Sequence, residues 1–351
     1  MSKISIVKPG LMTTIQDQGR IGYQHFGMPV AGAMDVYSLQ LANLLVGNHR
    51  FEAALEITLM GPEISFHDTR AVAITGGEIS ATINDRPVSM YETLYLQKGD
   101  TLKLGNISVG CRSYLAISEG FHLEKVMGSY ATYTRGNIGG FYGRKLMAGD
   151  EIPLNQKQYE GHVGTRRIPK SLTPDLHKSC IRVIMGPEDQ AFTEEGKAVF
   201  QKSQYRISNQ SDRMGYRLEG PKIQHVSTAD IISGGINLGA IQVPGEGVPI
   251  IMMADRQTTG GYTKIANVIS IDIPLVAQKK PGDIIKFTAI KVEEAQLLFR
   301  EREETIRTLE KQFQLISSKI HSVREYCIKV RGRSYHVRVE ELKDERGNEK
   351  P

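Results

Sequence analysis

The chain has 351 residues, 40% of them hydrophobic and 24% charged, which excludes wholesale disorder and leaves room for about two domains. Forty-four Lys and Arg against 39 Asp and Glu give a formal charge of +5, too mild for a dedicated nucleic-acid binder. Three cysteines (Cys111, Cys180, Cys327) lie far apart without metal-ligand spacing, which argues against a disulfide framework or a zinc site and for a reducing compartment.

The first ten residues, MSKISIVKPG, lack the apolar core and cleavage site of a secretory signal. No apolar run approaches the ~18 residues of a membrane span, so the expected location is the cytoplasm. Thirty-five glycines, many in pairs (Gly76-Gly77, Gly139-Gly140, Gly234-Gly235, Gly260-Gly261), punctuate short Val/Ile/Leu/Thr runs and read as a mainly β body. Residues 10–27 form a polar, glycine-punctuated loop that gathers Thr13, Asp17, Gln18, Arg20 and His25. Such a loop can turn backbone donors toward a small anion, and Arg20 offers a rigid fork for a carboxylate or phosphate. The plainer alternative is an Asp17–Arg20 pair that only shapes the turn. One clear helix follows over 34–46. Asp35 stands at its N-cap, Leu39, Ala42, Leu45 and Val46 form its stripe, and Gly47-Asn48 is its stop. Strands are expected at 55–59, 71–75, 92–96 and 113–117, with a turn at 84–87.

An imperfect internal repeat runs through the first 290 residues. Met60-Gly-Pro-Glu63 recurs as Met185-Gly-Pro-Glu188, Ile74-Thr-Gly-Gly77 as Ile232-Ser-Gly-Gly235, and Lys98-Gly-Asp100 as Pro281-Gly-Asp283. Ile15-Gln-Asp-Gln-Gly-Arg-Ile-Gly-Tyr23 resembles Ile207-Ser-Asn-Gln-Ser-Asp-Arg-Met-Gly-Tyr216 with one insertion. The elements do not keep one order, so straight duplication does not explain everything. Two related β units are expected, over 1–160 and 175–290, with the boundary in the polar, proline-bearing stretch 155–180.

In the second unit an apolar strand over 249–254 runs into Asp255-Arg-Gln-Thr-Thr-Gly-Gly261. A strand that delivers polar side chains into a flexible turn is a common mounting for an active-site loop. Asp255 suits a base or a Mg²⁺ ligand, Arg256 an anion clamp, Gln242, Gln257 and Thr258 contacts to an amide, and Lys264 a phosphate contact. An ordinary Asp–Arg ion pair at a strand end is the alternative. Beyond residue 290 the charge density rises to 26 charged residues in 61. A helical stripe over 292–320 (Val292, Ala295, Phe299, Ile306, Leu309, Phe313, Ile316, Ile320), interrupted by Arg302, predicts an amphipathic helix within a segment 291–322. It either packs on the body or docks a partner. Residues 324–351 read as a β-hairpin turning at Arg331-Gly332-Arg333, then a charged tail.

Several toolkits are absent. There is no Gly-x4-Gly-Lys-Ser/Thr loop, no His-Glu-x-x-His and no Gly-x-Ser-x-Gly elbow. Residues 234–239 fail the spacing of a dinucleotide fingerprint, and no Ala-Met-Lys-Met biotin site occurs.

Residues 10–35, 55–62, 74–77 and the Ala254–Tyr262 core of 234–273 resemble the allophanate hydrolase subunit 2 family. Its free-standing bacterial members are known as the C subunit of 5-oxoprolinase or as antagonists of a histidine-kinase inhibitor, and the module recurs in the carboxyltransferase part of urea carboxylase. The resemblance implies two cyclophilin-like β-barrel units in tandem. It also implies a heteromer with the kinase-inhibitor-like B subunit of 5-oxoprolinase, itself cyclophilin-like, and with the A subunit. The implied reaction is ATP-dependent opening of 5-oxo-L-proline to L-glutamate. A lactam is a poor electrophile, so that reaction needs groups that stabilise developing phosphate charge. On this basis Asp17, Arg20, Asp255 and Arg256 are the expected catalytic residues, with Mg²⁺ an expected companion of ATP. Gln18, His25, Gln242, Gln257, Thr258 and Lys264 are the expected substrate contacts. A regulator that sequesters a kinase inhibitor, and a carboxyltransferase acting on a urea- or lactam-like substrate, are the competing expectations.

Overall fold

The computed structural model describes residues 2–156, 164–331 and 333–342; the expected charged tail over 343–351 and part of the expected boundary over 155–180 lie outside them. The first half is a nine-stranded sheet. Its strands are β1 (Lys3–Lys8), β2 (Met12–Gln16), β3 (Ala54–Thr58), β4 (Glu63–Phe66), β5 (Arg70–Ile83), β6 (Arg86–Val88), β7 (Leu94–Leu96), β8 (Thr101–Ile117) and β9 (Glu151–Pro153). The path runs β2-β3-β8-β4-β1-β9, and β5 branches from β8 to carry β6 and β7. The 17-residue β8 organises the sheet: Arg112–Leu115 pair with β3, Thr101–Lys103 with β4, and both stretches also face β5. Apolar residues on alternate positions (Ile4, Ile6, Ile15, Leu55, Ile57, Leu102, Leu115) point to one fully buried cluster. This unit is a curled, half-barrel sheet.

The second half closes. Its barrel takes β10 (Cys180–Met185), β11 (Gln204–Ile207), β12 (Gly215–Glu219), β14 (Ala240–Gln242), β15 (Ile250–Met252), β17 (Lys264–Val268) and β18 (Ile284–Ala289), in the order β10-β17-β14-β15-β12-β11-β18. A parallel pairing of β10 with β18, Cys180 opposite Lys286, completes the ring. The helix α2 (Glu194–Lys202) covers one side, its Phe200 ring stacked 4.6 Å from Phe287. Strands β13 (Asp230–Gly235) and β16 (Thr259–Tyr262) leave the barrel as a two-stranded ribbon.

The first helix, α1 (Val36–Leu45), starts one residue after Asp35, whose Oδ1 accepts from the Ser38 amide at 2.9 Å. It is buried nearly all round because a second helix lies over it. A short helix, α3 (Ile273–Ala277), precedes β18, and α4 (Val292–Lys319) runs back across the molecule. Ile306, Leu309 and Phe313 of α4 join Leu39, Ala42 and Leu45 of α1 and Tyr114 of β8 in one cluster. The helix therefore packs on its own body. Val292 and Phe299, counted in the predicted stripe, are exposed, since contact begins at Ala295 and shifts face further along. Arg302 does not break the helix; its guanidinium lies 4.3 Å over the Tyr37 ring, and Glu303 pairs with Arg50 at 2.9 Å. Strands β19 (Ile320–Val330) and β20 (Arg333–Leu342) then form an antiparallel hairpin with Val330 opposite Arg333.

The repeat is partly structural. Gly99 and Gly282 both take φ near 95°, in turns where Asp100 and Asp283 cap the amides of Gln97 and Lys280. Ile74 and Ile232 have no such equivalence: the first is fully buried in β5, the second 96% exposed in the ribbon.

Candidate functional site

Arg20 follows β2, and its side chain is fully buried. The main chain holds the loop in place, with the Arg20 amide bonded to Val30 O at 2.7 Å. The guanidinium Nη2 donates to Ala131 O, while Nε and Nη1 have no partner. Burial pulls this guanidinium below its ordinary pKa, opposed by the charges of Asp17 and Asp255. Gln16 lies alongside. Its Nε2 donates to Thr14 Oγ1 at 3.1 Å and to Thr132 O at 3.0 Å, and its buried Oε1 is unpartnered. Gly139 and Gly140 cover this pair. A Cβ at Gly139 would collide with Arg20 Nη2 and Ala131 O, and one at Gly140 with Thr132 Oγ1. Only glycine permits that approach.

A second arginine centre repeats the composition. Arg256 donates Nε to Ile236 O at 3.0 Å and Nη1 to Met253 O at 3.3 Å. Burial, with no carboxylate to offset it, brings its pKa down to about 10. Ile236 links it to Gln242, which is buried with Nε2 unpartnered: Gly260 packs so closely that an added Cβ would stand 2.6 Å from Ile236 Cδ1 and 2.8 Å from Gln242 Nε2.

Between the centres lies a buried ionic network. Asp255 accepts a bidentate fork from Arg213, Nε to Oδ2 at 3.0 Å and Nη2 to Oδ1 at 2.9 Å. Arg213 also donates Nη1 to Glu56 Oε1 and Nη2 to Gly32 O at 2.6 Å. Glu56 Oε2 accepts from the Met34 amide at 2.8 Å and from Tyr114 Oη at 2.7 Å. Burial alone would lower the Arg213 pKa, but Asp255 and Glu56 outweigh it and hold the guanidinium firmly charged.

The other sequence-predicted residues are placed as follows. Asp17 is a loop staple, with Oδ1 accepting from the Gly19 amide (2.8 Å) and Ser129 Oγ (2.6 Å) and Oδ2 from the Tyr130 amide (2.7 Å). Gln18 and Gln257 are exposed, and Thr258 is half-buried with its carbonyl accepting from the Ile236 amide at 3.0 Å. His25 sits exposed on a one-turn 3-10 helix, its ring 3.8 Å from that of Phe26. Lys264 pairs with Glu188 at 3.2 Å. Gln16, Glu56 and Arg213 escape the sequence reading, although the repeat sets Arg213 opposite Arg20. Neither Asp17 nor Asp255 suits Mg²⁺, since both carboxylates are taken up by protein donors. Among the described residues no cluster of three or more His, Cys, Asp or Glu gathers to hold a metal. Cavities of about 360 Å³ (Tyr37, Arg182, Arg302) and 520 Å³ (Met185, Gln201, Phe287) contain none of the predicted residues.

An unmatched buried N–H costs about 1–3 kcal/mol, so Nε and Nη1 of Arg20 and Nε2 of Gln242 carry an unmet demand for acceptors, while both side chains are closed off from solvent and lie outside the cavities above.

The carboxyltransferase domain, subdomains A and B, matches residues 26–289. The chain is 37% identical over 294 residues to the 5-oxoprolinase C subunit of Escherichia coli (strain K12), covering 83% of this chain and 93% of that protein. It is 36% identical over 301 residues to the Haemophilus influenzae protein of the same name, covering 86% and 95%. Among solved structures, K. lactis urea amidolyase superposes with a TM-score of 0.83 at 34% identity, over 88% of this chain but only 20% of that one. No helix among the described residues is long and apolar enough to cross a membrane.

Proposed function

The chain belongs to the carboxyltransferase-domain family, subdomains A and B, and we propose that it is the C subunit of a multi-chain 5-oxoprolinase that opens 5-oxo-L-proline to L-glutamate with ATP. The observation that carries this reading is coverage. The matched residues make up 93–95% of the two bacterial C-subunit relatives but one fifth of urea amidolyase. The A and B subunits of that enzyme, the latter kinase-inhibitor-like, are the proposed partners.

The substrate carries a carboxylate and a ring amide. Arg20 Nη2 is taken by Ala131 O, and its unpartnered Nε and Nη1 point to different sides of the guanidinium, so each offers a single donor to the carboxylate and not a fork. Gln16 Oε1 is an acceptor for the lactam N–H. Gln242 Nε2 can donate to the lactam oxygen, and the Arg256 charge favours negative charge building there. Asp17 keeps the Arg20 loop closed. The buried setting strengthens each of these contacts; the ring opening itself consumes water, which adds across the C–N bond of the activated lactam as the phosphoryl group leaves as phosphate. Bound ATP would supply the phosphoryl group that activates the lactam oxygen, with arginine donors suited to its charge. The carboxylates of Asp17 and Asp255 do not fit its magnesium, and no role for the metal is assigned to them.

The test is phosphate release by this chain combined with its partner subunits. Release that needs both ATP and 5-oxoproline, and stops when this chain is omitted, supports the reading; release indifferent to 5-oxoproline overturns it. The likeness to urea amidolyase favours one second reading, a carboxyltransferase component, which requires transfer from carboxybiotin to a urea-like acceptor instead.

A further inference from the structure

The internal repeat aligns Arg213 with Arg20, yet the two side chains have opposite surroundings. Arg20 keeps two unpartnered N–H groups. Arg213 makes four charge-assisted or carbonyl bonds, to Asp255, Glu56 and Gly32. Each acceptor belongs to a different piece of the site. Asp255 is joined to Arg256. Glu56 lies on β3 opposite Thr14 of β2, the strand that leads into Arg20. Gly32, at φ +83°, presses on the Arg20 loop so tightly that an added Cβ would stand 2.9 Å from Gln18 C and O and from Gly19 N. The main chain adds a further tie, the Asp255 amide to Arg213 O at 2.8 Å.

We propose that Arg213 is a positioning residue that fixes the Arg256 loop of the second half against the Arg20 loop of the first, so that both arginine centres act on one bound molecule. The planar fork sets the orientation of Asp255 and, through it, the departure of Arg256; a lysine keeps the charge and cannot reproduce the fork. This rests on the 5-oxoprolinase reading for its catalytic consequence but not for its mechanical one.

Two measurements on the full chain separate these. In Arg213→Lys, amide exchange of segments 15–33 and 253–262 should accelerate together at least tenfold, while β10 and β18 keep their protection. Independent behaviour of the two segments, or no change, overturns the proposal whatever the reaction. With partner subunits present, kcat/KM should fall at least 30-fold. In Arg213→Met, the buried Asp255 loses its fork and keeps Arg20 as its neighbouring cation, with the Glu56–Arg112 pair beyond. The loss should fall on kcat, with KM within threefold of wild type, since the variant misplaces Arg256 without touching the substrate. Turnover within threefold of wild type overturns the positioning role. Should either variant fail to fold, Glu56→Gln leaves the Arg213–Asp255 fork intact and removes the charge that Arg213 Nη1 meets on the first half, at the cost of an amide group set among the Met34 and Tyr114 donors. It should lower kcat/KM about tenfold, and a wild-type value overturns the proposal. A wild-type complex without 5-oxoproline-dependent turnover, but with the two segments still coupled in exchange, defeats the 5-oxoprolinase reading alone.

Discussion

Among single residues, Arg20 carries a cost that the fold does not recover. Its charge is buried with two donors unmatched and one bond, to Ala131 O. Arg20→Met should therefore leave stability within about 1 kcal/mol of wild type, since along with that bond it removes a buried charge that Asp17 and Asp255 offset only in part. The same variant should abolish 5-oxoproline-dependent phosphate release in the reconstituted complex; retained release would show that the guanidinium does not meet the substrate. Asp17 behaves in the opposite way. Asp17→Asn sets an amide among the Gly19, Ser129 and Tyr130 donors and should cost about 2 kcal/mol in denaturant unfolding. Polar residues on glycine-rich loops are legible in the sequence, which is why Arg20 and Arg256 stand out there, and Gln242 on the short strand β14 beside them. What sequence does not reveal is which polar atom is consumed. Asp17, Asp255 and Lys264 look as available as Arg20 until their partners, 112, 42 and 76 residues away in the chain, are brought in.

For helices and strands, local signals suffice where contacts are local. The Asp35 cap locates α1, the 3.6-residue spacing locates α4, and the turn after Val330 locates the hairpin. They fail where burial is decided by remote surfaces, as at Val292, Phe299 and Ile232. Because Phe313 buries its ring against the α1 cluster under Arg166, Phe313→Ala should cost about 3–5 kcal/mol, read as a lowered Tm. The loop between β12 and β13 adds a pH response. The His225 ring lies tilted 4.6 Å from that of Phe192 and bonds Thr263 Oγ1 at 3.1 Å, and burial lowers its pKa. The unfolded chain then takes up a proton near pH 6.5 that the folded chain refuses, so the contribution of His225 is complete above that pH and lost as pH falls toward its depressed value. His225→Gln should flatten the decline in stability below pH 6.5.

Across the full chain, the two halves are joined by buried polar contacts as well as by packing. Gln278, just past α3, accepts at Oε1 from the Cys111 and Arg112 amides and donates Nε2 to Asp35 Oδ2 and Arg112 O. Gln278→Ala removes four buried hydrogen bonds, and chemical denaturation should show one transition, with stability lowered by several kcal/mol. Two separate transitions in the wild type would show that the halves are not coupled. The ring of the second half has a different implication, for synthesis on the ribosome. Its first strand, β10, finds its parallel neighbour only in its last, β18, about a hundred residues later. The amino-terminal sheet can pair β1 with β9 once residue 153 has emerged, whereas the ring stays an open sheet with bare edges until residue 289 is out. The helix that follows is the next segment to leave the tunnel, and it lands on α1, assembled long before, so a late stretch of chain seals the oldest part.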